Sequence, residues 1–525
     1  MRRLDLLFLL FALSPAAARL QAQSPRRDWR PEDRTVIGDF SRITAVAAAI
    51  DRVFAASPSQ VLIWNPQFQQ WQGPYDPPTP EYLVRVSGAL VDPLDNSLWL
   101  SSPDRWVHFQ PELQLWDQGL VPAGVLGIAF DGNDPTSGLF LRTRRGWEVL
   151  PRGGISSSPS AAPSRPVFPA RVDDVLRANP ALQANAAQIL LDARLNLARF
   201  TAAARSVDNL GWYLGTSGVG LLYVPDGAPL PERLPFGLRS PVAGAVFGWP
   251  EGVWTATSRT PQAEPALTFV ASDLKAFRSV QGPAAQGLPF NRVRRLVGQG
   301  SALWAATDRG VVRIAGDGSR VELVDEARGL PDGVVYAVAS RQGRITAGTR
   351  RGVVRLDDSL HVSRIAPRFA DPATAVFPAG DSVWIGTQRG VLLALPGQED
   401  VVRPETLAAP SLQAPVVALG SLGDTVVALT RDELLWRDPR TGAWTLGPNL
   451  SALLGSLVSF APDGPGFWVA GDRGVGFARL NAAAARALRE GDLPGRSNDV
   501  AVNDGYLWVA TDAGLVRFRL DAIRP

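Results

Sequence analysis

A short phrase recurs along this chain about every 40 residues. Near the C-terminus it reads LWVATDAGLVRF, from Leu507 to Phe518. Four more clear copies begin at Leu303, Ile345, Val383 and Phe467, and weaker copies begin at Val53, Leu98, Leu139, Trp212, Val253 and Val426. Because a period of this length built from short strands is typical of a β-propeller, the sequence predicts an all-β fold of about eleven four-stranded blade repeats.

Each copy contains the pattern of two strands joined by a tight turn. In the copy at Leu303, an apolar strand is followed by Thr307-Asp308-Arg309-Gly310 and then by a second apolar strand. Glycine adopts a positive φ without a steric clash, which suits the last position of such a turn. A second turn, from a proline to a tryptophan, recurs with one spacing at 66–71, 111–116 and 439–444. Two hairpins of this kind give the four strands of one blade.

The ends of the repeat region predict how the fold closes. The last copy stops without an obvious fourth strand, and residues 35–40 read as an isolated strand before the first copy. We therefore expect the N-terminal strand to complete the last blade, which removes an exposed sheet edge. Eleven blades exceed the usual ring of four to eight, so the favoured arrangement is two propellers, at 35–288 and 289–525. A single large ring is the alternative.

One interruption of the repeat predicts helix. Residues 171–205 are rich in alanine and leucine and poor in β-branched residues, most clearly from Ala184 to Phe200. We expect a small helical insertion on one propeller face. It either packs on the blades as a cap or covers a binding cleft.

The N-terminus has the layout of a secretory signal. Arg2 and Arg3 precede an apolar run from Leu6 to Leu13, which is followed by Ala16-Ala17-Ala18. This predicts a signal peptide at 1–22, a polar leader at 23–34, and an exported protein that is periplasmic or extracellular. No later segment is long and apolar enough to predict a transmembrane span in the mature chain.

Charge does not indicate a nucleic-acid partner. The formal charge is +3, and without residues 1–22 it falls to about +1. The positive charge is almost all arginine, with Lys275 the sole lysine. A phosphate-binding surface would show a clustered excess of positive charge.

No catalytic, cofactor or metal motif stands out in the sequence. The two histidines, His108 and His361, lie in different repeats without metal-ligand spacing, so we expect structural roles for them. Cysteine is absent, and no nucleophile elbow or phosphate-binding glycine loop is present. The sequence therefore predicts no cofactor, no metal and no catalytic residue. A catalytic site assembled from residues of several blades would leave no local motif in the sequence.

Arginine precedes the turn glycine in five copies, and these residues are the candidate binding site: Arg145, Arg309, Arg351, Arg389 and Arg473. Equivalent hairpins should project from one face, and the planar guanidinium suits carboxylates and sulfates. The alternative is that these arginines are solvated turn residues. In two copies a neighbouring aspartate, Asp308 or Asp472, would neutralise the arginine.

The phrases WIGTQRGVLLA, WAATDRGVVRI and WVATDAGLVRF resemble the two-component-regulator propeller repeat, across most of residues 35–525. In that family such repeats form paired extracytoplasmic propellers of sensor kinases, often for polysaccharide fragments. The resemblance implies a sensor-like ligand or partner module. The kinase and the membrane span of the family are missing here.

Two functional classes follow. The first is an exported, non-catalytic module that binds a glycan, peptide or protein partner, with an anionic ligand as one option. The second is a glycan-active lyase or hydrolase with a site at the propeller centre, which predicts converging acid, Tyr or His side chains with shifted pKa values.

Overall fold

The computed structural model of the protein describes residues 29–79, 81–191, 197–258, 265–280, 288–403, 413–480, 482, 486–489 and 491–525. The predicted signal peptide 1–22 and residues 23–28 of the predicted leader lie outside these ranges. Among the described residues no helix has the length and apolarity needed to cross a membrane.

The fold is a repeated array of eleven antiparallel sheets, as the sequence predicts. The N-terminal strand β1 spans Arg34–Ile37. The next four sheets are formed by β2–β5 (Ala45–Ala48, Val53–Ala56, Val61–Asn65, Gln70–Tyr75), β6–β9 (Gly88–Val91, Leu98–Ser102, Arg105–Gln110, Leu115–Leu120), β10–β14 (Val125–Asp131, Leu139–Thr143, Gly146–Leu150, Ser158–Ser160, Pro166–Val167) and β15–β18 (Phe200–Arg205, Gly211–Thr216, Leu221–Pro225, Glu232–Leu234).

Seven further sheets follow in chain order. They are formed by β19–β22 (Ala243–Trp249, Gly252–Thr257, Ala266–Ala271, Phe277–Val280), β23–β26 (Val293–Gln299, Ala302–Thr307, Val311–Ala315, Val321–Val324), β27–β30 (Val335–Arg341, Arg344–Thr349, Gly352–Leu356, Val362–Ile365), β31–β34 (Ala373–Ala379, Ser382–Thr387, Gly390–Ala394, Val401–Val402), β35–β38 (Val416–Leu422, Thr425–Thr430, Leu434–Arg437, Trp444–Leu446), β39–β42 (Leu457–Asp463, Gly466–Gly471, Gly474–Ala478, Arg486–Arg489) and β43–β45 (Ser497–Asn503, Tyr506–Thr511, Gly514–Arg519).

The predicted closure by the N-terminal strand is confirmed. Strand β1 pairs antiparallel with β45, so that Thr35 lies opposite Arg517 and Ile37 opposite Leu515. The last sheet therefore takes its fourth strand from the start of the chain.

The first strands of the sheets show which sheets are neighbours. Strand β19 packs against β23, and contacts continue through β27, β31, β35 and β39 to β43, which packs back against β19. These seven sheets form a closed circuit, the seven-sheet ring, with the first strand of each sheet innermost. The four sheets formed by β2–β18 are the N-terminal group, and their first strands lie in the order β10, β6, β2, β15.

This grouping does not follow the predicted division near residue 288. The sheet at 243–280 packs between β23 and β43 and so belongs with the later sheets. The irregular stretch that suggested the division includes a hairpin connection, since β20 and β21 pair directly across it. The break in the repeat pattern that suggested a domain boundary therefore falls between two paired strands of one sheet.

The two groups of sheets also share apolar contacts. Phe236 packs on Phe277 of the ring and on Phe40 and Trp71 of the N-terminal region, with ring centroids 4.2, 5.2 and 5.4 Å apart. The Trp71 indole donates a hydrogen bond to the Pro235 carbonyl (3.1 Å). This aromatic cluster joins the N-terminal sheets to the ring.

The predicted helical insertion is present as two helices, α2 (Val172–Ala178) and α3 (Pro180–Ile189), after the single turn α1 (Glu81–Val84). Val175, Leu182 and Ile189 are buried against the sheet of β15–β18. The end of the predicted segment differs, because residues 200–205 form strand β15. Residues 192–196 lie outside the described part of the chain. Two more single turns, α4 (Ser451–Leu454) and α5 (Leu520–Ile523), complete the helices of the described residues, with three short 3-10 turns at Pro31–Asp33, Pro135–Ser137 and Glu326–Arg328.

The turn glycines have the conformation that the sequence predicts in five of the six copies: Gly146, Gly310, Gly352, Gly390 and Gly514 have φ between 102° and 146°. Gly474 is the exception, since its φ lies outside the left-handed range. A Cβ there would lie 2.3 Å from the Leu488 carbonyl oxygen, so this glycine is required by a close backbone approach.

Candidate binding site

Each inner strand of the seven-sheet ring contains one unpaired residue near its start. In β23, Val293 pairs with Thr307 and Arg295 pairs with Ala306, so Arg294 is left out of the ladder as a β-bulge. The same register shift occurs in all seven inner strands, at Gly244, Arg294, Tyr336, Thr374, Val417, Val458 and Asn498. A bulge redirects a side chain, and here it produces a ring of seven equivalent positions.

Two of the bulge residues link neighbouring sheets. The Thr374 hydroxyl donates to the Val416 carbonyl of the next sheet (2.6 Å). The Asn498 amide donates to the Ala243 carbonyl (2.9 Å), across the junction where the last sheet of the ring meets the first. These bonds fix the mouth of the ring.

A buried threonine organises the turn beside four of the seven bulges. The Thr307 hydroxyl donates to the Gly310 carbonyl (2.7 Å) and accepts from the Arg309 N–H (3.1 Å). Thr349, Thr387 and Thr511 make the same pair of contacts in their own turns. The hydroxyl satisfies two backbone groups of a tight turn, which explains why threonine begins the recurring turn.

The aspartate of the turn anchors the loop that leads into the inner strand. The Asp308 carboxylate accepts from the N–H groups of Asn291 (3.0 Å) and Arg292 (3.2 Å). Asp472 accepts from the Ser456 N–H (2.9 Å). These carboxylates keep their negative charge when they accept such hydrogen bonds, so neutralisation of the adjacent arginines stays a prediction.

All seven bulge residues line one open cavity of about 2030 Å³. The opposite wall comes from the N-terminal sheets, the helical insertion and the two connections to the ring, with Asp39, Arg42, Ser59, Leu190, Ser217 and Arg239 among its residues. The connections that carry Asp39 and Arg239 lie side by side, since Asp39 forms a parallel bridge with Leu238. The cavity thus lies between the ring and the N-terminal group.

An ion pair crosses the ring below the bulge positions. From β23, the Arg295 guanidinium donates to Asp499 of β43 (2.9 Å) and to the Val458 carbonyl of β39 (2.8 Å). The other Asp499 oxygen accepts from the Val246 N–H of β19 (3.1 Å). Four inner strands are therefore joined through two side chains.

Arginine dominates the charged lining of the cavity. Six arginines (Arg42, Arg239, Arg292, Arg294, Arg295 and Arg431) and three aspartates (Asp39, Asp472 and Asp512) line it. Burial lowers the pKa of the Arg294 guanidinium, and the charge of Arg292 lowers it further. Burial likewise lowers the pKa of Arg239, with a further contribution from Arg233.

One carboxyl group in the cavity has a raised pKa. Burial raises the pKa of Asp39, while hydrogen bonds from the Ser41 hydroxyl (2.6 Å) and N–H (2.8 Å) and the charges of Arg239 and Arg42 oppose the shift. Among the described residues no group of three or more His, Cys, Asp or Glu side chains could hold a metal ion.

The five arginines predicted from the turn pattern are exposed and do not line the cavity. Gln388 and Asp472, which directly precede Arg389 and Arg473, do line it, so these turns lie at the cavity's end of the ring. Arg389 lies 3.6 Å from Asp371 at the surface. Arg145 belongs to the N-terminal group, so the structure does not bring the five together in one ring. Ligand contact by these arginines stays a prediction.

The two histidines lie away from the cavity. His108 is buried, stacks on Trp99 with ring centroids 3.9 Å apart, and contacts the Ser97 hydroxyl (2.7 Å). Burial lowers its pKa. His361 is exposed. These surroundings agree with structural roles.

Sequence reasoning missed the bulge residues, although a signal for them exists. Each lies 13 residues before the first residue of the turn, as Arg294 lies before Thr307 and Tyr336 before Thr349. Aligning the repeats on that turn places all seven in one column. The chemistry of that column varies from glycine to arginine, so it does not stand out as a motif.

No family model and no curated protein sequence matches the chain. Among solved structures, it is similar to the extracellular domain of the two-component system protein BT4673 from B. thetaiotaomicron (12% identity, TM-score 0.43, 90% of this chain and 64% of that one). It is also similar to PorZ, a surface component of the type-IX secretion system of Porphyromonas gingivalis (13%, TM-score 0.45, 91% and 68%), and to virginiamycin B lyase from Staphylococcus aureus (14%, TM-score 0.42, 53% and 94%). The chain thus spans less than two thirds of the BT4673 domain. At this level the likeness concerns the repeated-sheet architecture and identifies no function.

Proposed function

We propose that the protein is an exported, non-catalytic binding module for a glycan, peptide or protein partner, and that the cavity at the mouth of the seven-sheet ring is its binding site. The observation that carries this proposal is the convergence of all seven bulge residues on one open cavity. Export rests on the signal-like sequence at 1–22.

The size of the cavity favours an extended ligand. Pockets for drug-sized molecules occupy roughly 300–1,000 Å³, and this cavity is about 2030 Å³. Its walls mix guanidinium, amide and hydroxyl groups with apolar side chains such as Val417 and Val458. Such a surface offers hydrogen bonds and apolar contact over several ligand units.

The lining carboxylates support binding over catalysis. Asp472 and Asp512 accept backbone hydrogen bonds from Ser456 (2.9 Å) and Arg496 (2.8 Å), which makes them part of the loop architecture. Asp39 accepts hydrogen bonds from Ser41.

The second candidate function, a glycan-active lyase or hydrolase, is favoured by the raised pKa of Asp39 in the same cavity as Tyr336. That candidate predicts turnover that Asp39→Asn abolishes.

A blocking substitution tests the proposed function. Gln388 is exposed and lines the cavity, so Gln388→Trp should obstruct it without altering the sheets. Ser301→Trp is the matched control, because Ser301 is exposed in the loop between β23 and β24, at the other end of the sheets. The wild-type chain is used on a glycan array and as bait for the exported protein fraction.

We expect Gln388→Trp to lose the recovered ligand or partner and Ser301→Trp to retain it. Equal retention by both variants would place the binding surface elsewhere and refute the proposal.

A further inference from the structure

Positive charge is concentrated in the cavity. The whole chain carries a formal charge of +3, yet the cavity lining alone has three more arginines than aspartates. Low-dielectric walls strengthen the field of such a cluster and raise the local concentration of anions. The cavity is therefore more basic than the composition of the chain suggests.

Some charged side chains of the lining already have partners within the protein, and others have no ion-pair partner among the described residues. Arg295 is paired with Asp499, and Asp472 and Asp512 hold backbone N–H groups. In the described part of the chain, no acidic side chain lies within ion-pair distance (4.0 Å) of Arg292 or Arg294. These two guanidinium groups therefore remain to interact with a ligand.

Of these two arginines, Arg294 has the side chain that its neighbours hold more firmly in place. It occupies the bulge position of β23, and its guanidinium carbon lies 5.2 Å from the centre of the Tyr336 ring. Tyr336 is the bulge residue of the next sheet, so the aromatic face holds the guanidinium over the mouth of the ring. Its Nε is buried without a hydrogen-bond partner. A buried donor without a partner is costly in the free protein.

Arg292 adds a second positive charge on the loop that enters the same strand. Its backbone N–H is fixed by Asp308 (3.2 Å), while its side chain is exposed. Burial and then the charge of Arg292 lower the pKa of Arg294, while Tyr336 and Asp308 partly oppose the shift, so the two like charges repel each other. An anion bound between them would relieve that repulsion.

We propose that Arg292 and Arg294 form an anion subsite of the cavity, which binds carboxylate or sulfate groups of the ligand. This proposal rests on the cavity being the binding site. The planar guanidinium can bind both oxygens of such a group, and Tyr336 orients it. Arg42 and Arg239 on the opposite wall extend the positive surface, so a ligand with several anionic groups fits better than a single ion.

Calorimetric titration of the full chain with sulfate, malonate, oligogalacturonate and oligoglutamate tests the subsite, with a neutral oligosaccharide as reference. We expect saturable binding that weakens as NaCl rises. Arg294→Met should weaken it by about tenfold or more, which corresponds to about 1.4 kcal/mol. Arg344→Met is the matched control, because Arg344 is exposed at the other end of the sheets.

Arg292→Met provides a second variant on an exposed side chain, should Arg294→Met lower the unfolding temperature. Either oligomer binding through these arginines supports the proposal, and the stronger one identifies the source of the anionic groups. Absence of anion binding, or equal affinity of Arg294→Met, Arg292→Met and Arg344→Met, overturns it. Binding of a neutral ligand that Gln388→Trp blocks would overturn the anion subsite and leave the proposed function intact.

Discussion

Removing the Asp499 carboxylate should destabilise the seven-sheet ring. Asp499 is 6% exposed and joins Arg295 of β23 to the Val246 N–H of β19. In Asp499→Ala the Arg295 guanidinium loses its counter-charge and the Val246 N–H loses its acceptor. Breaking a buried ion pair typically costs about 3–5 kcal/mol.

The expected loss lies below that range, because Arg295 is partly solvated. Its side chain is 24% exposed and keeps the hydrogen bond to the Val458 carbonyl. We expect the free energy of unfolding to fall by about 2–3 kcal/mol. For a cooperative unit of this size that corresponds to a decrease of about 4–6 °C in the unfolding temperature.

The assay is thermal and urea unfolding followed by tryptophan fluorescence. Asp424→Ala, at an exposed carboxylate in the loop between β35 and β36, is the control and should change stability by less than about 0.5 kcal/mol. The double variant Arg295→Met/Asp499→Ala should be less destabilised than the sum of its single variants, because no charge is left unpaired. Additive losses, or an Asp499→Ala indistinguishable from Asp424→Ala, would refute the role of this pair.

Three further predictions concern the turn, the closing strand and pH. Thr307→Val should lower stability by about 1–2 kcal/mol, because two backbone groups of the turn lose the hydroxyl, and Thr307→Ser should restore most of it in thermal unfolding. The Val36 carbonyl accepts a hydrogen bond from Gln60 and so points away from β45, which means that the backbone N–H of the neighbouring Thr35 points toward β45. Thr35→Pro removes this N–H and should destabilise the ring by about 2 kcal/mol or more. Unchanged urea unfolding of this variant would contradict closure by β1. Hydrogen bonds from the N–H groups of Asn133, Ser164 and Arg165 lower the pKa of Asp131 to about 2. The ionised Asp131 therefore stabilises the fold fully above about pH 4, and this contribution is lost as the pH falls towards 2. The difference in unfolding free energy between the wild type and Asp131→Asn should shrink over that pH window.

The sheets could be predicted from the sequence because the constraint on each copy is local. Apolar strands, a glycine in the turn and a fixed spacing recur in every well-formed copy, and they correspond to paired strands in the structure. The missing fourth strand of the last copy likewise predicted the role of β1. These features depend on the period and on backbone sterics.

The grouping of sheets could not be predicted, because it depends on contacts between inner strands far apart in sequence. The contact of β19 with β43 joins residues about 250 positions apart, and no local pattern marks it. The arginine pattern indicated turns that lie at the cavity's end of the ring, but it did not indicate the residues that line the cavity, and ligand contact by the five arginines stays a prediction. Arg294 reaches the cavity because a bulge redirects it, and a bulge is a register shift between two strands.

Hydrogen exchange of the full chain, with and without its recovered ligand, tests the central claim most directly. If the ligand occupies the cavity, amides should become protected at 291–295, 456–458 and 498–499, where the loops enter the inner strands, and at 38–42 on the opposite wall. Protection confined to the outer strands, such as β26 or β30, with no change at the inner-strand entries, would contradict it.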